Sequence, residues 1–216
     1  MASGSVGEIL LPQILPVFAI GGAVVLPRGR IPLIVFEPRY ISMIDDALGN
    51  GRMFALIQPD PPTAGLVPGL STLGTLVRVV AFGETGDGRY LITGQGVSRF
   101  QVIGERTGRK GYRRVEVTYA GFEQDLVEPS VALQDRPKLI ELVRAHLGST
   151  GISGEWESVD TLSDDQVTDR LAMACPFSPE DRQALLEAPD HKTRCALMIA
   201  LLQRELISES GGATIH

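Results

Sequence analysis

Short apolar runs punctuated by proline and glycine fill the first half of the chain, and longer stretches of helical period fill the second. Ile14–Ile20 and Pro32–Phe36 are brief, rich in branched residues and bounded by Gly21-Gly22 and by prolines, the signature of buried strands. Pro38 then opens a helical stretch through Leu48, with Tyr40, Ile41, Ile44, Ala47 and Leu48 at helical spacing, closed by Gly49-Asn50-Gly51. Phe54–Ile57 reads as strand again, and the proline- and glycine-rich stretch from Asp60 to Leu70 as a surface loop. Thr75–Phe82 and Tyr90–Thr93 flank the turn sequence Gly86-Asp87-Gly88. Val97–Ile103 and Tyr112–Tyr119 follow, the latter alternating Val115 and Val117 against Arg114 and Glu116 as a half-buried strand does. Gly94-Gln95-Gly96 begins like a dinucleotide fingerprint but lacks its third glycine and helix, so it reads as a turn or bulge between strands. At least six short strands with turn residues between them point to a closed or nearly closed barrel, which hides sheet edges.

After Glu123 the period changes. Leu139, Ile140, Val143 and Leu147 share one helical face, with Gly148 as the expected C-cap. Ser163-Asp164-Asp165-Gln166 is a capping box, and Ser178-Pro179-Glu180-Asp181 is a second helix start. Asp190 is placed to cap a last helix carrying Cys195, Leu197, Met198, Leu201, Leu202 and Leu206. The expected fold is therefore α+β. A barrel over residues 11–122 carries one inserted helix, a helical bundle occupies 123–210, and 1–10 and 211–216 are flexible tails.

Charge sharpens that division. Residues 1–122 hold 12 basic and 9 acidic residues, whereas 123–216 hold 8 and 17, for a net charge of −6 over 216 residues. That balance argues against a general nucleic-acid coat, and the length leaves no room for a motor joined to a hydrolase. Ile9–Pro27 is apolar enough to imitate a membrane span, but its prolines and glycines and the missing basic start argue for buried strand instead. Cys175 and Cys195 lie far apart in apolar helical contexts, as reduced core thiols of a cytoplasmic protein do.

Catalytic chemistry finds little to work with. His146, His191 and His216 share no metal-ligand spacing, no phosphate-cradling Gly-x-x-x-x-Gly-Lys motif occurs, and Lys110, Lys138 and Lys192 sit in wet contexts unsuited to a catalytic amine. The expectation is no catalytic residue, no metal and no cofactor. Two segments stand out as binding surfaces. Arg106, Arg109, Lys110, Arg113 and Arg114 surround a glycine-containing turn with Tyr112 beside them, a pattern that suits phosphates and base stacking or simply a solvated hairpin. Pro32–Tyr40 sets apolar residues beside Glu37 and Arg39, as a peptide groove does, or as a strand-to-helix corner fixed by Glu37 pairing Arg39 or Arg99 does.

Several of these pieces together resemble the N-terminal substrate-binding domain of Lon proteases. They are Leu15-Pro-Val-Phe18, Val24-Val25-Leu26-Pro27, Ile31–Tyr40 with Met43-Ile44, Gly74-Thr75, Asp87–Tyr90 and Gly96–Phe100. Arg170–Ala172, Pro176–Ser178 and Ala184–Glu187 extend the likeness into the helical half, so it runs from about Leu11 to Leu206. The resemblance implies a PUA-like β-barrel with an inserted helix, followed by a helical bundle. It implies a stand-alone, non-enzymatic relative lacking the ATPase and Ser-Lys peptidase parts, since these residues carry neither motif. It also implies a partner: unfolded or exposed apolar polypeptide segments, recognised by an adaptor or holdase near Pro32, Phe36, Arg39, Tyr40 and Arg99. The alternative, drawn from PUA-like barrels that bind RNA, uses Arg106, Arg109, Lys110, Arg113 and Arg114.

Overall fold

The structure, a computed structural model, describes residues 11–60, 68–129, 132–149, 159 and 161–212. Six strands come first: β1 (Ile14–Ala19), β2 (Arg30–Val35), β3 (Met53–Ile57), β4 (Leu73–Glu84), β5 (Tyr90–Arg109) and β6 (Tyr112–Thr118). Helix α1 (Pro38–Leu48) stands between β2 and β3. A 3-10 turn at Glu123–Leu126 leads into α2 (Arg136–Ser149), α3 (Asp164–Ala174), α4 (Pro179–Glu187) and α5 (His191–Gly212). The expected order of elements is found. Residues 61–67 of the proline-rich loop lie outside the described residues, although Asp60 N–H donates to Gly69 O at 3.1 Å across its base.

The strand order is β2-β5-β4-β3-β1-β6, and β5 pairs with β6 as well, so the path β5–β4–β3–β1–β6 returns to β5. Among the described residues only β1 and β3 pair in parallel, and the other ladders are antiparallel. The length of β5 makes this possible. Tyr90–Thr93 and Val97–Ile103 are not two strands parted at Gly94-Gln95-Gly96 but one strand of 20 residues. Its first part carries β2 and β4, and its distal part carries β6. The register shifts against β4 at Leu76/Val77 and Val79/Ala81, where bulges bend the ladder.

Gly94 lies against Val77 and Ile31 of the neighbouring strands, whereas Gly96 lets another segment cross β5. A Cβ on Gly96 would lie 2.2 Å from the Leu26 carbonyl oxygen, so only glycine lets residues 24–29 pass. Arg28 N–H donates to Gly96 O at 2.8 Å, and Gly96 N–H donates to Gly29 O at 2.9 Å. That crossing links the two halves of the chain. Val24 and Leu26 are buried among Leu139, Val143, Leu171 and Leu202 of the helices and Phe177 of the α3–α4 connection. Two further clusters fill the strand layer, one around Phe18, Met43, Phe54 and Val77 beneath α1, the other around Leu15, Leu76, Phe100 and Val115.

Helix ends follow the sequence signals. Ser163 and Gln166 form the capping box of α3, the Ser178 hydroxyl accepts from Asp181 N–H at 3.1 Å, and Asp190 accepts from Thr193 N–H at 2.8 Å. Gly148, expected as a cap, lies inside α2. Among the described residues no helix is long and apolar enough to cross a membrane.

Candidate functional site

Strand β2 ends the ladder, so among the described residues one of its edges carries no strand. Its sequence alternates so that Leu33 and Val35 point into the core while Pro32 and Ile34 point out, and Phe36 continues the outer row. Ile34 is 59% exposed and Phe36 65% exposed. Across the ladder Ile34 faces Leu91 of β5, itself 48% exposed, because directly opposed residues share a face. An apolar face therefore lies beside an open strand edge. Pro32 removes one backbone donor from that edge but leaves its carbonyl.

The corner after Phe36 is built by Glu37, whose carbonyl accepts from Tyr40 N–H and Ile41 N–H at 2.9 Å each, with Pro38 in the first turn. Glu37 pairs with Arg39 at 2.7 Å and not with Arg99. The Arg39 guanidinium lies 4.5 Å from the Tyr40 ring centroid. Tyr40 itself is buried: its hydroxyl donates to Ala19 O at 3.1 Å, and its ring meets Phe18 edge-on at 4.3 Å. Burial pushes its hydroxyl above its ordinary pKa of 10.0. Pro32, Phe36 and Arg39 are thus accessible, whereas Tyr40 is a core anchor holding α1 against β1. Ile34 and Leu91 belong to the face and were not among the sequence-predicted residues. The alternation of Arg30–Val35 carries the signal for Ile34; Leu91 needs the β2–β5 register, which no local pattern specifies.

Arg99 corrects the sequence expectation most sharply. It sits in the middle of β5, 5% exposed, with its guanidinium donating to both Asp125 carboxylate oxygens at 2.9 Å and its own N–H donating to one of them at 2.8 Å. Its remaining donors reach Ala188 O at 2.6 Å and Leu186 O at 3.2 Å, and Phe122 covers one face. Arg194 of α5 works from the other side, donating to Leu185 O at 2.9 Å and to Asp169 at 2.8 Å, with His191 3.2 Å from the same carboxylate. Two buried guanidiniums therefore tie the end of α4 to β5, α3 and α5. Arg99 borders a cleft with Arg28 and Asp125, but its guanidinium donors are already taken by this junction.

The basic hairpin is similarly engaged. Lys110 and Gly111 form its two-residue loop with φ +48° and +85°, the left-handed pair that matches strand twist. The loop folds over α1. Lys110 Nζ donates to Asp46 at 2.7 Å, Tyr112 donates to the same carboxylate at 2.9 Å, and Arg109 approaches it at 3.5 Å. The Lys110 hydrogen bond, first of these, holds the Asp46 carboxyl below its ordinary 3.8. Arg106 pairs with Glu116 and Arg113 with Glu105. With four of the five cations on carboxylates, the hairpin is not a free basic stripe, and the RNA-binding reading draws no support from it.

Among the described residues no three His, Cys, Asp or Glu side chains are grouped to hold a metal ion. Both cysteines are buried, and desolvation pushes the Cys175 thiol up to about 11, away from nucleophilic use.

Residues 14–204 match the family described as the ATP-dependent protease La (LON) substrate-binding domain. Lon protease 2 of Myxococcus xanthus is 27% identical over 211 residues, covering 94% of this chain but 25% of that protein. The chain thus spans about a quarter of the length of such relatives. A Lon N-terminal domain protein from Xanthomonas campestris is 27% identical with a TM-score of 0.60, covering 88% of this chain and 98% of that one. The N-terminal domain of a Mycobacterium avium complex Lon protease, 20% identical, shares the fold with the same TM-score and coverage. Matched along most of its length in both sequence and architecture, the chain belongs to the Lon substrate-binding domain family.

Proposed function

We propose that this protein is a non-catalytic recognition module that binds exposed apolar segments of unfolded polypeptides, in the manner of an adaptor or holdase in the cytoplasm. The observation that carries the reading is the exposed face of Ile34, Phe36 and Leu91 beside the open edge of β2. An extended segment laid along that edge gains main-chain hydrogen bonds from β2, and its alternate side chains fall on the apolar face. Pro32 and Arg39 flank the face and shape its ends. Family membership agrees with recognition as the task. The inert thiols and the lysine held by Asp46 agree with binding without chemistry.

Each of the three apolar side chains, about half exposed, contributes about 1 kcal/mol when covered. Replacing both Ile34 and Phe36 by serine is therefore expected to weaken binding of a labelled, unfolded polypeptide by at least about tenfold in fluorescence anisotropy. The wild-type affinity should vary little with salt, and a labelled RNA measured in parallel should not bind. No saturable polypeptide binding at tens of micromolar protein overturns the reading, as does an affinity untouched by the double substitution.

A further inference from the structure

Between the start of β2 and the C-terminal half of α3 runs an open cleft of about 890 Å³, separate from the face just described but meeting it at Pro32. Four arginines line it, Arg28, Arg30, Arg170 and Arg182, and no carboxylate does. The ion pairs among the described residues engage none of the four. That sets them apart from Arg39, Arg99, Arg106, Arg113, Arg194 and Arg204, each of which has a carboxylate partner. In a chain of net charge −6, four such cations around one opening run against the overall balance.

Two of them are held in place. Arg28 adopts φ +65°, a conformation costly for a side-chain-bearing residue, and its guanidinium donates to Asp125 O at 2.7 Å and Val127 O at 3.2 Å. Arg182 caps the end of α3, donating to Met173 O at 3.0 Å, Cys175 O at 2.8 Å and Phe177 O at 3.0 Å. Carbonyls satisfy donors without cancelling charge, so both positions keep a fixed positive field. Arg30 and Arg170 are exposed and able to reorient. Between the cations the wall is apolar, with Val24, Ile31, Met173 and Ala174.

We propose that this cleft takes acidic residues of the bound polypeptide, so that the preferred partner is an extended segment in which carboxylates alternate with apolar side chains. This rests on the polypeptide-recognition reading for its occupant. Carboxylates match the forked guanidinium donors of Arg30 and Arg170, which the fixed field of Arg28 and Arg182 reinforces. The apolar wall gives the intervening side chains a place that a compact phosphate would leave uncovered, and the neighbouring β2 edge supplies the backbone partners.

The test compares three short labelled peptides of equal length, alternating Leu with Glu, Ser or Lys, by anisotropy against the whole protein and against R30E/R170E. Both substituted residues are exposed and make no ion pair, and an unchanged thermal midpoint by circular dichroism confirms that the variant is folded. The Glu–Leu peptide is expected to bind about tenfold tighter than Ser–Leu at low salt, with the advantage fading at high salt. R30E/R170E should erase that advantage and favour Lys–Leu. A wild type with no Glu–Leu preference, or a variant that keeps it, overturns the cleft assignment. If Ser–Leu and unfolded polypeptide still bind, the recognition reading survives; if no peptide binds, both fall. Inorganic tripolyphosphate that binds directly and displaces Glu–Leu, but not Ser–Leu, with the same sensitivity to R30E/R170E, reassigns the cleft to a phosphate ligand.

Discussion

Arg99 and Asp125 are both nearly fully buried, and the weight of that pair lies in what its loss would leave behind. Replacing Arg99 by methionine keeps much of the side chain's volume but leaves the buried Asp125 carboxylate without its guanidinium, the Leu186 carbonyl without its side-chain donor, and the Ala188 carbonyl with only the longer bond from Arg194 at 3.4 Å. Removing one partner of a buried pair costs about 3–5 kcal/mol, whereas an exposed pair is worth about 0–1 kcal/mol. Equilibrium denaturation should therefore show a large loss for Arg99→Met and almost none for Arg106→Ala, whose guanidinium is half in solvent. Equal effects would mean that the junction is not the anchor its geometry describes. The sequence marks Arg99 as noteworthy but misplaces it, and the reason is physical. A lone arginine within a strand looks the same whether it faces water or a carboxylate 26 residues away. Burial of a charge is decided by a partner that local pattern does not reveal. Phe36 and Arg39 were legible because their exposure follows from the apolar-to-charged switch within one short segment.

Elements are most legible in the sequence where capping and period agree. Pro38–Leu48 forms a helix with the predicted bounds because proline at its start and apolar spacing along it act together. The sequence pattern divides strand β5 at Gly94-Gln95-Gly96 because glycines in a strand usually mark a turn or bulge. Here Gly96 instead admits the crossing of residues 24–29, a contact about 70 positions distant along the chain. A methyl group there collides with backbone, which cannot rotate away as a side chain can. Gly96→Ala should consequently cost at least about 1–3 kcal/mol. Gly86→Ala, at the β4–β5 turn with open space around it, should lie within about 0.5 kcal/mol of wild type. Urea unfolding of the two variants side by side checks the contrast; a tolerated alanine at 96 would show that the crossing segment yields.

At the scale of the molecule, the change of period and of charge near residue 123 argues for two modules, yet the core runs through that boundary. Val24 and Leu26, from the first half, are buried within the helical cluster, and Met173 of α3 accepts from Leu26 N–H through its sulfur at 3.4 Å. Arg99 supplies a second tie and Gln58 a third, donating to Pro179 O at 2.9 Å and Gln183 at 3.1 Å. Modules joined only through a linker unfold separately; modules that complete each other's cores do not. We therefore propose that residues 11–122 and 123–210 unfold as one unit. Far-UV and near-UV circular dichroism should trace coincident transitions, and Leu26→Ala should shift both together by about 2–5 kcal/mol. Two resolved transitions, with Leu26→Ala moving only the helical one, would restore the two-module reading. A single unit also matters for recognition. The arginine cleft has β2 on one wall and α3 on the other, so its spacing holds only while the two halves stay locked together. A substitution such as Leu26→Ala, fully buried behind the cleft wall and lining none of it, should then weaken the preference for acidic peptides before it unfolds the protein.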